Sequence, residues 1–327
     1  MSAGIRTAGA RPAHTRSDTR MADRFGDGLL RGLCMLAALL AVLAIAAISY
    51  QVVHRASPSV SRFGLGFLTH STWQPNFGIF GAGTFIYGTA ITSLLAMVLS
   101  VPLGISIALY LSMVAPRRVR NVIGPLVEML AAIPSVILGF WGILVLGPFL
   151  QAHVEPFLHS TFGFLPIFGP TPTTGSGLFI AGLILTIMVV PIIASISRDL
   201  FLSVPRELQD GATALGATPW EVLRGVVLPS SASGIAAAAF LGLGRALGEA
   251  IAVTQVVGAG NLIHASLFQT GDTLASRIAD QFQGATTRLQ IASLFYLGLI
   301  LLVIGLVANL AAQFITRRFD VSRVAAR

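Results

Sequence analysis

The chain has 327 residues and not one lysine; all 21 of its Lys/Arg positions are arginine. No GxxxxGK[ST] phosphate loop can exist without lysine, so a Walker-type ATPase is excluded. Cysteine is nearly absent. Cys34 is the one thiol, which rules out an intrachain disulfide and a cysteine-built metal site. Its place in an apolar run reads as packing. The histidines at 14, 54, 70, 153, 159 and 264 show no ligand spacing such as HxxxH and read as loop or interface residues. No set of nucleophile, base and orienting group stands out, which argues against a membrane enzyme. Charge itself is scarce, at 10% of residues, against about 25% in soluble domains. With 54% hydrophobic residues and a mean hydropathy of +0.82, much of the surface has to face lipid.

What charge there is lies in informative places. The net charge of +8 would suit nucleic acid, but the arginines cluster at the N-terminus, at 117–120 and at the C-terminus, between apolar runs. That is how loops beside anionic lipid are built. A membrane span needs roughly 20 apolar residues. Six stretches qualify, near 29–53, 80–113, 122–150, 177–197, 232–257 and 289–315. The run from 29 to 49 is too long for a signal-peptide core and reads as an uncleaved span. Residues 1–26 read as a disordered Arg-rich tail, 27–320 as a six-span domain, and 321–327 as a second tail. The N-terminal tail, the 115–120 loop, the 198–231 loop and the C-terminal tail are Arg-rich, whereas 151–176 has no arginine, the 54–79 loop has Arg55 and Arg62, and the 258–288 loop has Arg277 and Arg288. Both termini are therefore expected in the cytoplasm, in a bacterial inner membrane.

The 198–231 segment carries the strongest local pattern. Pro205 suits a helix start, and Leu208, Ala212 and Leu215 then share one face. Gly216 is placed to end that helix in a left-handed cap. Pro219 opens a second short helix with Trp220, Leu223 and Val227 on one face, and Pro229 is expected to stop it. An amphipathic loop resting on headgroups would look similar. The order of residues says more. Asp210-Gly211-Ala212 is followed after three residues by Gly216, and after nine more come Val226 and then Leu228-Pro229. This resembles the EAA loop of ABC importer permeases in full register, with Asp for Glu, Gly for Ala and Val for Ile. The resemblance implies a short coupling helix within 205–229 that docks into a cleft on a separate ATPase. Leu215, Gly216 and Trp220 are expected near the contact, although Trp220 also has the option of packing on its own spans.

Two ionisable residues fall inside the fifth apolar run. Arg245 and Glu249 are spaced i, i+4 on one helix face, within pairing reach. A self-neutralised pair that fixes packing is one reading. A pore-facing Arg245 that binds an anion, with Glu249 holding or releasing it, is the other. The surrounding Gly242-Leu243-Gly244-Arg245-Ala246-Leu247-Gly248 is a poor nucleotide loop; Gly244 and Gly248 read instead as a GxxxG helix contact. Pro134 and Pro191 sit in apolar runs and serve either as hinges or as packing features. Glu128 reads as a capping or loop-pairing residue.

Three stretches point to one family: Leu130-Ala131-Ala132-Ile133-Pro134-Ser135 running on to Phe140-Trp141-Gly142, Ile192-Ile193-Ala194-Ser195-Ile196-Ser197-Arg198-Asp199, and Gly242 to Glu249. Over roughly residues 29–320 the chain resembles PstC-type phosphate permeases, more than the sister PstA type. The resemblance implies an all-α, MetI-like fold of six transmembrane helices with a cytoplasmic coupling helix. It also implies a heterodimer with a PstA-type permease, a PstB-type ATPase dimer that carries the ATP and Mg, and a PstS-type phosphate-binding protein. The chain itself then binds no cofactor or metal and catalyses nothing. Another oxyanion, such as molybdate or sulfate, would also suit Arg245. A stand-alone ion-coupled transporter is the other class, but no inverted repeat is evident.

Overall fold

A computed structural model describes residues 16–172 and 174–318, with side chains between 27 and 316. The described residues are almost wholly helical, and six helices are long and apolar enough to cross a membrane. The described residues up to Gln51 form one compact unit and those from Val52 onward a second.

Helix α1, Arg16–Phe63, supplies the described part of the first unit. Leu29, Leu33, Leu36, Leu40 and Leu43 are all exposed on it, an apolar surface that suits lipid. The expectation of disorder up to residue 26 is corrected for 16–26, which are helical. Once a long apolar helix exists, each added residue gains a hydrogen bond without a new nucleus. Residues 1–15 and the tail at 321–327 lie outside the described residues.

In the second unit, α2 (Gly83–Val114) and α5 (Leu178–Ser203) form the centre. They approach closely because glycines remove side chains at the crossing. A Cβ at Gly104 would meet Ile193 at 2.8 Å, and one at Gly182 would meet Leu95 at 2.5 Å. The main core gathers Ile180, Ile184, Val189 and Ile193 of α5 with Val253 and Val256 further along. A second core is aromatic, with Trp73 against Phe80 and Phe85 at 4.9 and 5.3 Å and Phe67 stacked on Tyr296 at 4.4 Å.

Two expected spans are redrawn. The run 122–150 is split into an amphipathic α3, Arg117–Ala131, and a new helix α4, Ser135–Phe162. Pro134 causes the split: it sits extended at φ −57° and ψ 134°, lacks an N–H, and pushes Ile133 away from helical geometry. The span then runs on through 151–162, which the sequence reads as loop. After α5 come α6, Arg206–Ala214, and α7, Pro219–Gly248. Pro229 does not stop the second loop helix as expected. A wide turn at Leu223–Val227 lets the Leu228 N–H bond back to the Leu223 carbonyl. That extra residue makes room for the proline ring, and the loop helix runs straight into the fifth span. The span ends at Gly248, not near 257, and α8, Ile251–Val256, follows a break. Helices α9, Leu274–Gln281, and α10, Arg288–Arg318, complete the unit.

Candidate functional site: a loop helix and an intramembrane arginine

The loop between α5 and α7 is a rigid corner built by local rules. Pro205 precedes α6, and the chain leaves α6 through Gly216 at φ +87°. The Gly216 N–H donates to the Thr213 carbonyl at 2.9 Å and the Ala217 N–H to the Ala212 carbonyl at 3.1 Å. This pair is a Schellman cap, which needs a residue in the left-handed region and therefore favours glycine. The next helix is capped in turn. The Thr218 N–H donates to Glu221 Oε2 at 2.8 Å, the Glu221 N–H reaches Thr218 Oγ1 at 3.4 Å, and Pro219 takes the first helical position. Only Ala217 separates Gly216 of the cap from Thr218 of the capping box, so the angle between α6 and α7 is fixed.

The corner presents apolar side chains outward. Leu215 is 92% exposed and Trp220 64%. Trp220 lines a cleft of about 410 Å³ with Met113, Val114, Asp210, Pro219 and Leu223. Of the loop's other marked residues, a Cβ at Gly211 would meet nothing within 4 Å, so this exposed position has room for the alanine of the EAA pattern. The Ala212 carbonyl receives the cap hydrogen bond, and Leu228 and Pro229 follow directly on the wide turn at Leu223–Val227, which the Leu228 N–H closes. Glu128 pairs with Arg198 at 3.0 Å, tying α3 to the end of α5 just ahead of this corner. A Cβ at Gly124 would lie 3.1 Å from that guanidinium, so the glycine leaves it room.

Arg245 and Glu249 do come together, but not on one helix. Glu249 lies just past the end of α7, in extended backbone. Its Oε2 is 3.6 Å from Arg245 Nη2, while its Oε1 accepts from the Ala252 N–H at 3.3 Å and so steadies the start of α8. The Glu249 side chain is 9% exposed and that of Arg245 45%. At 3.6 Å the pair is an ionic contact longer than a hydrogen bond, which leaves the guanidinium donors unspent. Arg245 also borders a small cavity with Leu130, Ala131 and Ile133. The arginine thus stands where the α3–α4 break and the α7–α8 break come near each other. Irregular backbone at membrane depth is tolerated where it lines a cavity or is buried in protein. The GxxxG expectation finds no counterpart among the described residues: a Cβ added at Gly244 or Gly248 would meet no other part of the chain within 4 Å, and the close helix contact is Gly242, where a Cβ would meet Val189 at 2.6 Å.

Sequence reading missed one constellation. Arg277 counts there as a loop charge. In the structure it is 4% exposed and Asp272 2%, with Arg277 Nε 2.7 Å from Asp272 Oδ2. The guanidinium also bonds Asn261 and stacks over Phe85 at 4.7 Å. Burial pushes the Asp272 carboxyl above its ordinary range, opposed by Arg277 and by hydrogen bonds from Ser276 and Thr273. The Thr273/Ser276 capping pair was the one local signal available. Among the described residues no group of three His, Cys, Asp or Glu is placed to hold a metal ion.

Comparison with known proteins fits this architecture. The family model described as "Binding-protein-dependent transport system inner membrane component" matches residues 100–321. The chain is 41% identical over 317 residues to the phosphate transport system permease protein PstC of Mesorhizobium japonicum, covering 95% of this chain and 97% of that one. It is 41% identical to PstC of Pasteurella multocida, over 94% and 97% of the two chains. It is 36% identical to PstC 1 of Mycobacterium tuberculosis, over 90% and 94%. Among solved structures, a bacterial alginate ABC transporter, crystallised with its alginate-bound periplasmic protein, shares the fold with a TM-score of 0.59 at 19% identity, covering 91% of this chain and 98% of that one. The fold is that of MetI-like ABC permeases, and with its six apolar helices the chain is a multi-pass membrane protein that belongs to the PstC family of phosphate transport system permeases.

Proposed function

We propose that this chain is the permease subunit of an ATP-driven importer of inorganic phosphate. It forms the path with a PstA-type permease and takes phosphate from a PstS-type binding protein. It hydrolyses no ATP; a PstB-type ATPase dimer below it carries the ATP and Mg. The Arg-rich tails and the 205–229 corner face the cytoplasm, where Leu215, Gly216 and Trp220 meet the ATPase. A corner locked by a Schellman cap and a capping box transmits closure of the ATPase as a rigid push along α7. Because α7 is continuous from Pro219 to Gly248, that push arrives within one turn of Arg245.

The observation that carries this reading is Arg245. It is half exposed at bilayer depth, where an unpaired charge is costly, and its hydrogen-bond donors are free. A planar guanidinium offers phosphate two parallel hydrogen bonds. Glu249 keeps the cation partly neutralised while the path is empty. An arriving anion then competes with Glu249 for the same donors.

The experiment is uptake of labelled phosphate at micromolar concentration by cells expressing the chain with its genomic neighbours. Wild type is compared with Gly216→Trp, Arg245→Gln and an ATPase lacking its catalytic Glu, at matched membrane levels. Loss of uptake in all three supports the reading. Uptake that survives the dead ATPase and collapses with the proton gradient would sink it in favour of a secondary transporter.

A further inference from the structure

The groove in front of Arg245 holds more polar chemistry than the ion pair uses. Helices α7 and α10 enclose about 770 Å³ with a mainly apolar wall, Phe240 and Leu241 included, in which the polar groups are Arg245 on one side and Asn309, Gln313 and Thr316 on the other. Spacing of four and three residues puts these three side chains on one face of α10, over a rise of about 10 Å. Asn309 and Gln313 are exposed, and within the described chain neither side-chain amide has a hydrogen-bond partner. Both lie inside the span Arg288–Thr316. The hydrocarbon core has no groups to satisfy an amide, so water, a ligand or another polypeptide has to serve Asn309, and Gln313 lies one turn nearer the Arg317–Arg318 end.

The company those amides keep selects among the three. The cation in the same groove is Arg245, and each amide offers two N–H donors. A guanidinium followed by neutral donors is a series suited to an anion, with the charged contact first. Gly305, Ala308 and Ala312 of α10 and Ala237 of α7 keep side chains out of the space between. Consecutive spans run in opposite directions, so the groove extends from the level of Arg245 toward the Arg317–Arg318 end of α10. An anion held by Arg245 alone would leave slowly. Neutral donors further along lower the affinity step by step, which transport requires.

We propose that this groove is the exit path for phosphate, and that Asn309 and Gln313 contact the anion after it leaves Arg245. The proposal rests on the phosphate-import reading above. A helix of the second permease seated in the groove is the competing occupant, and the test separates the two.

Cys34 is the one native thiol, so a Cys34→Ser background makes single-cysteine variants simple to build. Asn309→Cys and Gln313→Cys are introduced into the assembled transporter in inside-out vesicles. Modification is timed with an anionic sulfonate methanethiosulfonate and with its cationic trimethylammonium counterpart. Relative to a surface cysteine, the anionic reagent is expected to react about tenfold faster than the cationic one, because Arg245 focuses anions in the groove. Inorganic phosphate should slow both reactions, and Arg245→Gln should abolish that protection while leaving the cysteines accessible. Cysteines inert to both reagents, or cross-linked to the second permease, would overturn the proposal in favour of a helix interface. Accessible cysteines that phosphate fails to protect would overturn it as well. ATP-driven phosphate uptake by the Cys34→Ser cells is measured alongside. If that uptake is missing while the native chain transports no phosphate either, the import reading falls; if it is normal, a negative labelling result falls on the exit path alone.

Discussion

Arg277 Nε lies 2.7 Å from Asp272 Oδ2 with both side chains buried, and this pair fastens a long polar loop to the transport core. The loop's backbone presses on α2: the Leu274 N–H donates to Thr89 Oγ1 at 2.9 Å. Breaking such a pair from one side strands a buried charge, which costs about 3–5 kcal/mol. Arg277→Met is therefore expected to lower the thermal midpoint of the detergent-solubilised complex sharply. Asp272→Asn combined with Arg277→Met should recover part of the loss, because neither charge is then left alone. Scanning fluorimetry of the three variants checks this. A double variant less stable than Arg277→Met would contradict it.

The same docking explains a glycine. A Cβ on Gly88 would meet the Asp272 carbonyl oxygen at 2.0 Å, whereas one on Gly211 meets nothing within 4 Å. Both glycines lie inside helices, so propensity alone favours alanine at each by about 0.5–1 kcal/mol. Gly211→Ala should gain that amount. Gly88→Ala should instead lose about 1–3 kcal/mol, because backbone cannot yield as a flexible side chain does. Opposite signs in one denaturation series are the expected result.

How far the sequence discloses all this depends on the range of the interactions. The loop corner is legible in Gly216 and Pro219, which act on their immediate neighbours and predict a left-handed cap followed by a helix start, while the Thr218/Glu221 capping box emerges with the structure. Six spans were legible from apolar run length. The breaks were not. Pro134 and Glu249 lie in long runs that stay apolar on average, so counting span lengths merges α3 with α4 and carries the fifth span on to 257. Pro229 misled in the other direction, because the wide turn that accommodates it leaves no sequence mark. Arg277 reads from the sequence as a loop charge, since only the tertiary fold brings Asp272, Asn261 and Phe85 around it.

The loop corner yields a prediction that separates coupling from folding. Leu215 is 92% exposed, so Leu215→Asp removes almost no buried contact and should leave stability within about 0.5 kcal/mol of wild type. It also puts a charge where an apolar partner surface is proposed, which is strongly unfavourable at an interface core. Phosphate-stimulated ATPase activity of the assembled complex should fall at least about tenfold, with the thermal midpoint unchanged. A fall in both together would mean that Leu215 supports the chain's own fold.

Arg245 allows a finer test than its removal. Lysine keeps the positive charge at that depth but replaces a planar fork by a single ammonium point. If Arg245 serves only to neutralise Glu249, Arg245→Lys should transport as the wild type does. If it binds phosphate through two parallel hydrogen bonds, Arg245→Lys should lose uptake by about tenfold or more, a difference of roughly one to two charge-assisted hydrogen bonds. Glu249→Gln supplies the complement. It frees the guanidinium from its competitor while its amide oxygen can still accept from the Ala252 N–H, so phosphate should be held longer and turnover should drop while assembly is unchanged. Lower turnover in Glu249→Gln, together with loss in Arg245→Lys, would place both residues on the path. Wild-type uptake in both would leave the pair a packing element.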